Sequence, residues 1–185
     1  MSHQCDWVDF YPDARENIPH NAPKPRGRSI VTFGFVDADW AGSNNRRSHT
    51  GFIIYVQSAP VLWYSKKQST IETSTYGAEL CATRICLEAI EGLRYKLRMF
   101  GIPFSGPTIL YGDNQSVIHS LTRPESTLKK KHNAIAFHRC REATAANIVA
   151  YQKVESQENT ADILTKTLTA ATTEYHSESL LKCDA

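Results

Sequence analysis

Ser29-Ile30-Val31-Thr32-Phe33-Gly34-Phe35-Val36-Asp37 is the stretch from which the fold can be read. β-Branched and aromatic residues fill it until a carboxylate stops the run, and such a composition between polar flanks predicts a strand. Two more apolar runs follow, Gly51 to Val56 and Val61 to Ser65, joined by Gln57-Ser58-Ala59-Pro60, a connection of hairpin length. From Ser74 the period changes. Ala78, Ala82, Ile85, Ala89, Leu93 and Leu97 recur every three or four residues until Gly101 and Pro103, which predicts a long amphipathic helix. Further on, the pattern predicts a strand at 108–111, a short helix at 116–121, a helix at 131–146, a strand at 148–154 and a closing helix at 159–168. Three consecutive strands followed by this alternation indicate an α/β domain built on a single mixed sheet.

The domain so defined spans 29–168, preceded by a proline-rich arm at 1–28 and followed by a tail at 169–185 without strong periodicity. At 185 residues, 41% hydrophobic and 22% charged, the chain is long enough to bury a core, and its composition argues against disorder, collagen and coiled coil. No apolar run approaches the ~18–20 residues of a membrane span, and the N-terminus lacks a signal-peptide pattern, so neither a membrane association nor secretion is expected. The five cysteines show no zinc spacing and read as free thiols in a reducing compartment.

A formal charge of +2 does not announce a nucleic-acid binder. Its distribution is less neutral: between Thr122 and Arg141 six basic residues, Lys129, Lys130 and Lys131 at their centre, face one acid. Such a stripe is either a solvated helix face or a phosphate contact.

Four acids occupy places where carboxylates are structurally awkward. Asp37 and Asp113 end predicted apolar strands, where ligands bind in open α/β sheets. Glu79 lies beside the apolar stripe of the long helix, and Asp162 near the start of the closing one. A strand-end Asp taken singly is a turn former or cap, but four acids converging on one cleft repel unless a cation compensates. Hard oxygen donors without His or Cys select Mg²⁺ or Mn²⁺, and two such ions suit phosphodiester hydrolysis.

The motifs Phe35-Val36-Asp37-Ala38-Asp39-Trp40-Ala41-Gly42, Arg46-Arg47-Ser48-His49-Thr50-Gly51, Trp63-Tyr64-Ser65-Lys66-Lys67-Gln68, Glu72-Thr73-Ser74-Thr75-Tyr76-Gly77-Ala78-Glu79, Tyr111-Gly112-Asp113-Asn114-Gln115-Ser116, Lys131-His132 and Ala161-Asp162-Ile163-Leu164-Thr165-Lys166 together resemble, in the same order, the RNase H domain of copia-type LTR retrotransposon Pol polyproteins. The resemblance covers about residues 29–168, and Cys5-Asp6-Trp7 to Phe10-Tyr11-Pro12 is similar to the tether that follows the reverse transcriptase there.

The resemblance implies an RNase H-like fold, a five-stranded mixed sheet with its first three strands antiparallel and helices on both faces. It also implies an intracellular endoribonuclease, in a cytoplasmic particle or the nucleus, that cuts the RNA strand of RNA/DNA hybrids with two Mg²⁺ or Mn²⁺ ions. Asp37 then bridges both ions, Glu79 and Asp113 complete one site, and Asp162 serves the other. Ser74 and Thr75 fall near the DNA-strand phosphate and Gln115 in the minor groove of the hybrid. The reverse transcriptase of the same polyprotein is the implied protein partner. A 2′-hydroxyl on one strand only is what lets such a groove choose the strand it cuts.

Two departures from the family pattern stand out. The loop 153–159 lacks the His that many such domains carry, and Glu155 falls nearest its place, an auxiliary acid that can accept a proton or touch a metal. No Tyr-x-Asp-Asp motif is present, so the chain reads as a fragment, a degraded copy or a separate reading frame. An alternative class is therefore a catalytically inactive remnant that binds nucleic acid or has a structural role. Asp39 is either a turn residue or an outer-shell partner of Asp37. Trp40 and Trp63 are expected to pack on the sheet or in the core, and His49 to lie in the turn between the first two strands.

Overall fold

The computed structural model describes residues 6–42 and 46–181. Chain order is α1 (Trp7–Phe10), β1 (Thr32–Asp39), β2 (His49–Val56), β3 (Ala59–Lys67), α2 (Thr75–Met99), β4 (Thr108–Gly112), α3 (Gln115–Thr122), α4 (Ala134–Ala145), β5 (Val149–Lys153) and α5 (Ala170–Leu181). The strands form one five-stranded sheet in the order β3-β2-β1-β4-β5. β1, β2 and β3 are antiparallel neighbours, while β4 runs parallel to both β1 and β5. This is the mixed sheet predicted, with its first three strands antiparallel.

Alternation within the strands separates two faces. Val36, Ala38, Phe52, Ile54 and Leu110 point to the side on which α2 packs, where Ala78, Leu80, Ala82, Cys86, Leu87 and Ile90 close the main core with Phe137, Cys140 and Ala143 of α4. The opposite face carries Phe33 stacked on Tyr55 at a ring separation of 4.7 Å. There, a 3-10 turn at Thr160–Leu164 lies against β1 and β2, and α5 packs on that turn with His176 only 1% exposed.

Four expectations are corrected. β1 does not end at Asp37 but continues to Asp39 along β2, the partner of Asp37 being Gly51. On its other side the parallel pairing with β4 stops at Phe35 opposite Tyr111, so β1 and β4 part just before Asp37 and open a crevice there. The closing helix at 159–168 is instead the short 3-10 turn: Asn159 anchors one end through an Nδ2–H bond of 3.0 Å to the Val36 carbonyl, Thr165 the other through Asp37, and only five residues separate them. Trp63, 67% exposed, projects from the edge strand β3, and Trp40, 44% exposed, donates its Nε1–H to the Glu72 carbonyl at 3.0 Å; neither belongs to the core. His49 is likewise the first residue of β2 rather than part of a turn, with Nε2 3.0 Å from the Ser65 hydroxyl.

The N-terminal arm packs on the domain. Glu16 accepts from Arg94 Nε at 2.8 Å and also pairs with Arg98, and Trp7, Phe10 and Tyr11 surround the Arg141 guanidinium. The arm thereby adds partners to Arg94, Arg98 and Arg141, of which Arg94 and Arg141 also donate to carbonyls of the domain itself. Cys5 and Cys183 lie outside the described residues; Cys81, Cys86 and Cys140 are free thiols. No helix among the described residues is long and apolar enough to cross a membrane.

Candidate active site

Asp37 is 1% exposed, Glu79 6% and Asp162 9%, a degree of burial that carboxylates seldom reach without partners. Each is delivered by a different element. Asp37 comes from the interior of β1, Asp113 from the residue after β4, and Glu79 from the second turn of α2, whose start Ser74 caps by accepting from the Gly77 N–H at 3.3 Å. Asn114 caps α3 by accepting from the Ser116 and Val117 N–H groups, so Asp113 is set at a sharp strand-to-helix corner. Oxygen atoms of Asp37, Glu79 and Asp113 lie within 4.8 Å of one another.

Asp162 approaches from the opposite face of the sheet. The 3-10 turn that carries it rests on Gly51, the cross-strand partner of Asp37, where a Cβ would lie 2.6 Å from Thr165 Cγ2, 2.9 Å from Leu164 Cβ and 3.1 Å from the Ala161 carbonyl oxygen. Glycine is thus required by close approach and not by backbone angle. The turn brings two residues that the sequence reading did not single out. Thr165 donates its hydroxyl to Asp37 Oδ2. Lys166 places Nζ 3.2 Å from Asp37 Oδ1 and 2.8 Å from Asp162 Oδ1. The i to i+4 spacing of Asp162 and Lys166 was the available signal.

The electrostatics follow from this crowding. Burial, and then the negative charges of Asp37 and Asp113, push the Glu79 carboxyl well above the usual range, against a smaller pull from Lys166 and the Ala38 N–H. Burial likewise raises Asp162, to about 6, despite its hydrogen bond from Lys166. Burial alone would depress the Lys166 ammonium, but Asp37 and Asp162 more than reverse that, and it is held charged. Glu79 and Asp162, held toward their neutral forms beside Asp37 and Asp113, are carboxyls whose charged state a divalent cation would stabilise, and an all-oxygen donor set suits Mg²⁺ or Mn²⁺.

The nucleic-acid candidates fall into two groups. Ser74, Gln115, Lys129 and Lys130 line one open groove of about 870 Å³, between the starts of α2 and α3 and the segment before α4. Thr75 and Lys131 are exposed beside that segment but do not line the groove. The basic stripe itself divides. Lys129, Lys130 and Lys131 are exposed, whereas Arg139 pairs with Glu91 and Glu142, and Arg141, 2% exposed, donates to the carbonyls of Ser120 and Arg123 at 2.7 and 2.8 Å. Arg141 therefore holds the end of α3 and is not part of a phosphate-facing surface. Glu155 is exposed and pairs with Lys153 at 2.7 Å. The Asp39 carboxylate folds onto Gly42.

No protein-family model matches the chain. Among solved structures, it is similar to LC11-RNase H1 in complex with RNA/DNA hybrid (TM-score 0.58, 14% identity, 72% of this chain and 93% of that one). It is also similar to RNase H1 from the halophilic archaeon Halobacterium salinarum NRC-1 (TM-score 0.53, 19% identity, 73% and 94%). The architecture is thus the RNase H fold. Among curated sequences, the chain is 28% identical over 144 residues to the retrovirus-related Pol polyprotein from transposon RE2 of Arabidopsis thaliana. It is 30% identical over 141 residues to that from transposon TNT 1-94 of Nicotiana tabacum. It is a homologue of the retrovirus-related Pol polyproteins of plant transposons, aligned over 77% and 76% of its length and spanning about 10% of the length of each.

Proposed function

We propose that the chain is an RNase H-type endoribonuclease that hydrolyses the RNA strand of RNA/DNA hybrids, leaving 3′-hydroxyl and 5′-phosphate ends. The observation that carries this reading is the gathering of Asp37, Glu79 and Asp113 within 4.8 Å of one another, with Asp162 joined to Asp37 through Lys166. Bound Mg²⁺ or Mn²⁺ would supply activation of water and neutralisation of the departing oxygen. Asp37 would hold both ions, Glu79 and Asp113 one, and Asp162 the other. In addition to binding metal, the buried Glu79 would contact the RNA 2′-hydroxyl and so favour the ribose strand.

Affinity would come from the exposed Lys129, Lys130 and Lys131, which suit phosphates irrespective of sequence. Ser74, Thr75 and Gln115 would meet the DNA strand and the minor groove. Within the longer polyprotein, the reverse transcriptase would be the neighbour that presents the hybrid, inside the cell, during reverse transcription of the element. Residues 29–168 would form the catalytic unit, with 1–28 as its connection and 169–185 as an appended tail.

A second reading, an inactive binder or structural remnant, is favoured by one observation: Glu155, at the place of the usual loop His, is engaged with Lys153. Cleavage of a hybrid labelled on its RNA strand, in Mg²⁺ and then in Mn²⁺, separates the two. Metal-dependent cutting of RNA in the hybrid but not in an RNA/RNA duplex, abolished by Asp113→Asn, is expected of the enzyme. Hybrid binding without cutting in either metal would mean a domain that has lost its chemistry or one that does not work without its polyprotein.

A further inference from the structure

Asp37 and Asp162 are two buried carboxylates on facing elements, and a lysine already lies between them. Lys166 Nζ is 2.8 Å from Asp162 Oδ1, an ordinary length for a charge-assisted bond, and 3.2 Å from Asp37 Oδ1, a longer ion pair. Thr165 takes the remaining oxygen of Asp37, so that carboxylate is held on both sides by consecutive residues of one turn. Glu79 and Asp113, by contrast, have no ion pair with a basic side chain among the described residues, although Glu79 is as buried as Asp162. The side chain of Lys166 is 35% exposed, which leaves its stem room to swing toward solvent.

We propose that Lys166 is the resident cation of the Asp37–Asp162 position, filling it until a divalent ion displaces the ammonium. The two ion positions of the site then load unequally: the Asp37–Glu79–Asp113 position first, and the Asp37–Asp162 position only once Lys166 has turned out. This rests on the metal-dependent reading above. The physical case is one of charge and space. An ammonium holds a carboxylate oxygen at about 2.8 Å and a small divalent ion at about 2.1 Å, so both cannot stand between the same two oxygens. Without either, two buried carboxylates face each other uncompensated. Lys166 acts as a positioning residue that keeps Asp37 and Asp162 together before metal arrives, at the cost of competing with the second ion.

The test is calorimetric titration of the full chain with Mn²⁺ in the absence of nucleic acid, alongside thermal melting in EDTA and in millimolar Mn²⁺. Wild type is expected to bind one Mn²⁺ in the measurable range. Lys166→Met, which keeps the stem and removes the charge, is expected to bind two, or to tighten the second step at least tenfold, and to gain more melting temperature from Mn²⁺ than wild type does. Lys166→Arg, which keeps the charge, is expected to behave as wild type. A Lys166→Met chain that binds one ion with unchanged affinity overturns the proposal, as does one unfolded in EDTA that stays unfolded in Mn²⁺. Asp113→Asn distinguishes the two levels: if it binds Mn²⁺ as wild type does, the metal-dependent reading itself falls. If it loses the first step while Lys166→Met gains nothing, only the role of Lys166 is refuted.

Discussion

Replacing Gly51 by alanine adds one methyl group opposite Asp37, at the point where the turn carrying Asp162 rests on the sheet. The new Cβ would stand 2.6 Å from Thr165 Cγ2 and 2.9 Å from Leu164 Cβ, about 1 Å inside the ~3.5–4.0 Å at which carbon atoms pack. Rotating Thr165 relieves the first contact but takes its hydroxyl off Asp37. The remaining contacts, including the Ala161 carbonyl at 3.1 Å, move the turn as a body. Overpacking of this kind costs ~1–3 kcal/mol, which a domain of this size survives, and a misplacement of about 1 Å at a reacting centre costs on the order of 10²-fold in rate. The expected result is a folded Gly51→Ala protein whose hybrid cleavage in Mg²⁺ falls about a hundredfold, with hybrid binding retained. Circular dichroism melting and a gel-based cleavage assay on the same preparation check both halves. Wild-type activity in a folded Gly51→Ala protein would refute the claim that this contact places Asp162 and Lys166.

Gly92, in the middle of α2, has nothing within 4 Å of where a Cβ would stand; Gly92→Ala is expected to raise thermal stability by ~0.5–1 kcal/mol and leave cleavage unchanged, as seen in paired melts and assays. Glu16 is depressed from 4.5 to about 2: burial works against this, but the hydrogen bonds and charges of Arg94 and Arg98 overcome it. A shift of that size corresponds to ~3 kcal/mol, cut to ~1–2 kcal/mol by the solvent that still reaches the carboxylate. This stability is present above pH 4.5 and lost as pH falls toward 2, so urea melts should show Glu16→Gln weaker than wild type at pH 7, with the gap closing across that acid window. Joint replacement of Lys129, Lys130 and Lys131 by alanine should lower the slope of log affinity for hybrid against log salt by about 2–3 without altering strand choice, measured by fluorescence anisotropy at several salt concentrations. An unchanged slope would remove these lysines from the interface.

The order of the strands' appearance, the long helix and the α/β class were legible from Ser29–Asp37 and the periodicity after Ser74, because period-2 and period-3.6 patterns are local consequences of which face is buried. The same logic singled out Asp37, Glu79, Asp113 and Asp162, since a carboxylate next to an apolar pattern is conspicuous in one dimension. It also misplaced the end of β1. Where a strand stops depends on its neighbours, and only the pairing of Asp37 with Gly51, against the earlier parting from β4, decides that the acid faces a crevice from within a strand.

Charge read along the chain proved the poorest guide to surface. Arg141 belongs to the same basic run as Lys130 but is buried among aromatic rings of α1 and carbonyls of α3, partners more than 15 residues away in sequence. The arm at 1–28 reads as linker because its prolines are set among polar and basic residues, yet Glu16 is clamped by two arginines of α2. The sequence by itself determined the fold class, the long helix and the inventory of acids, which follow from local pattern, whereas the helix stripe it singled out includes Ile85, Ala89, Leu93 and Leu97, only partly buried, and misses Leu80, Leu87 and Ile90, which face the core. Tertiary structure alone decided that Asp162 meets Asp37 across Gly51 with Lys166 between them, because long-range charge pairs and the close approach of two backbones leave no periodic trace in the chain.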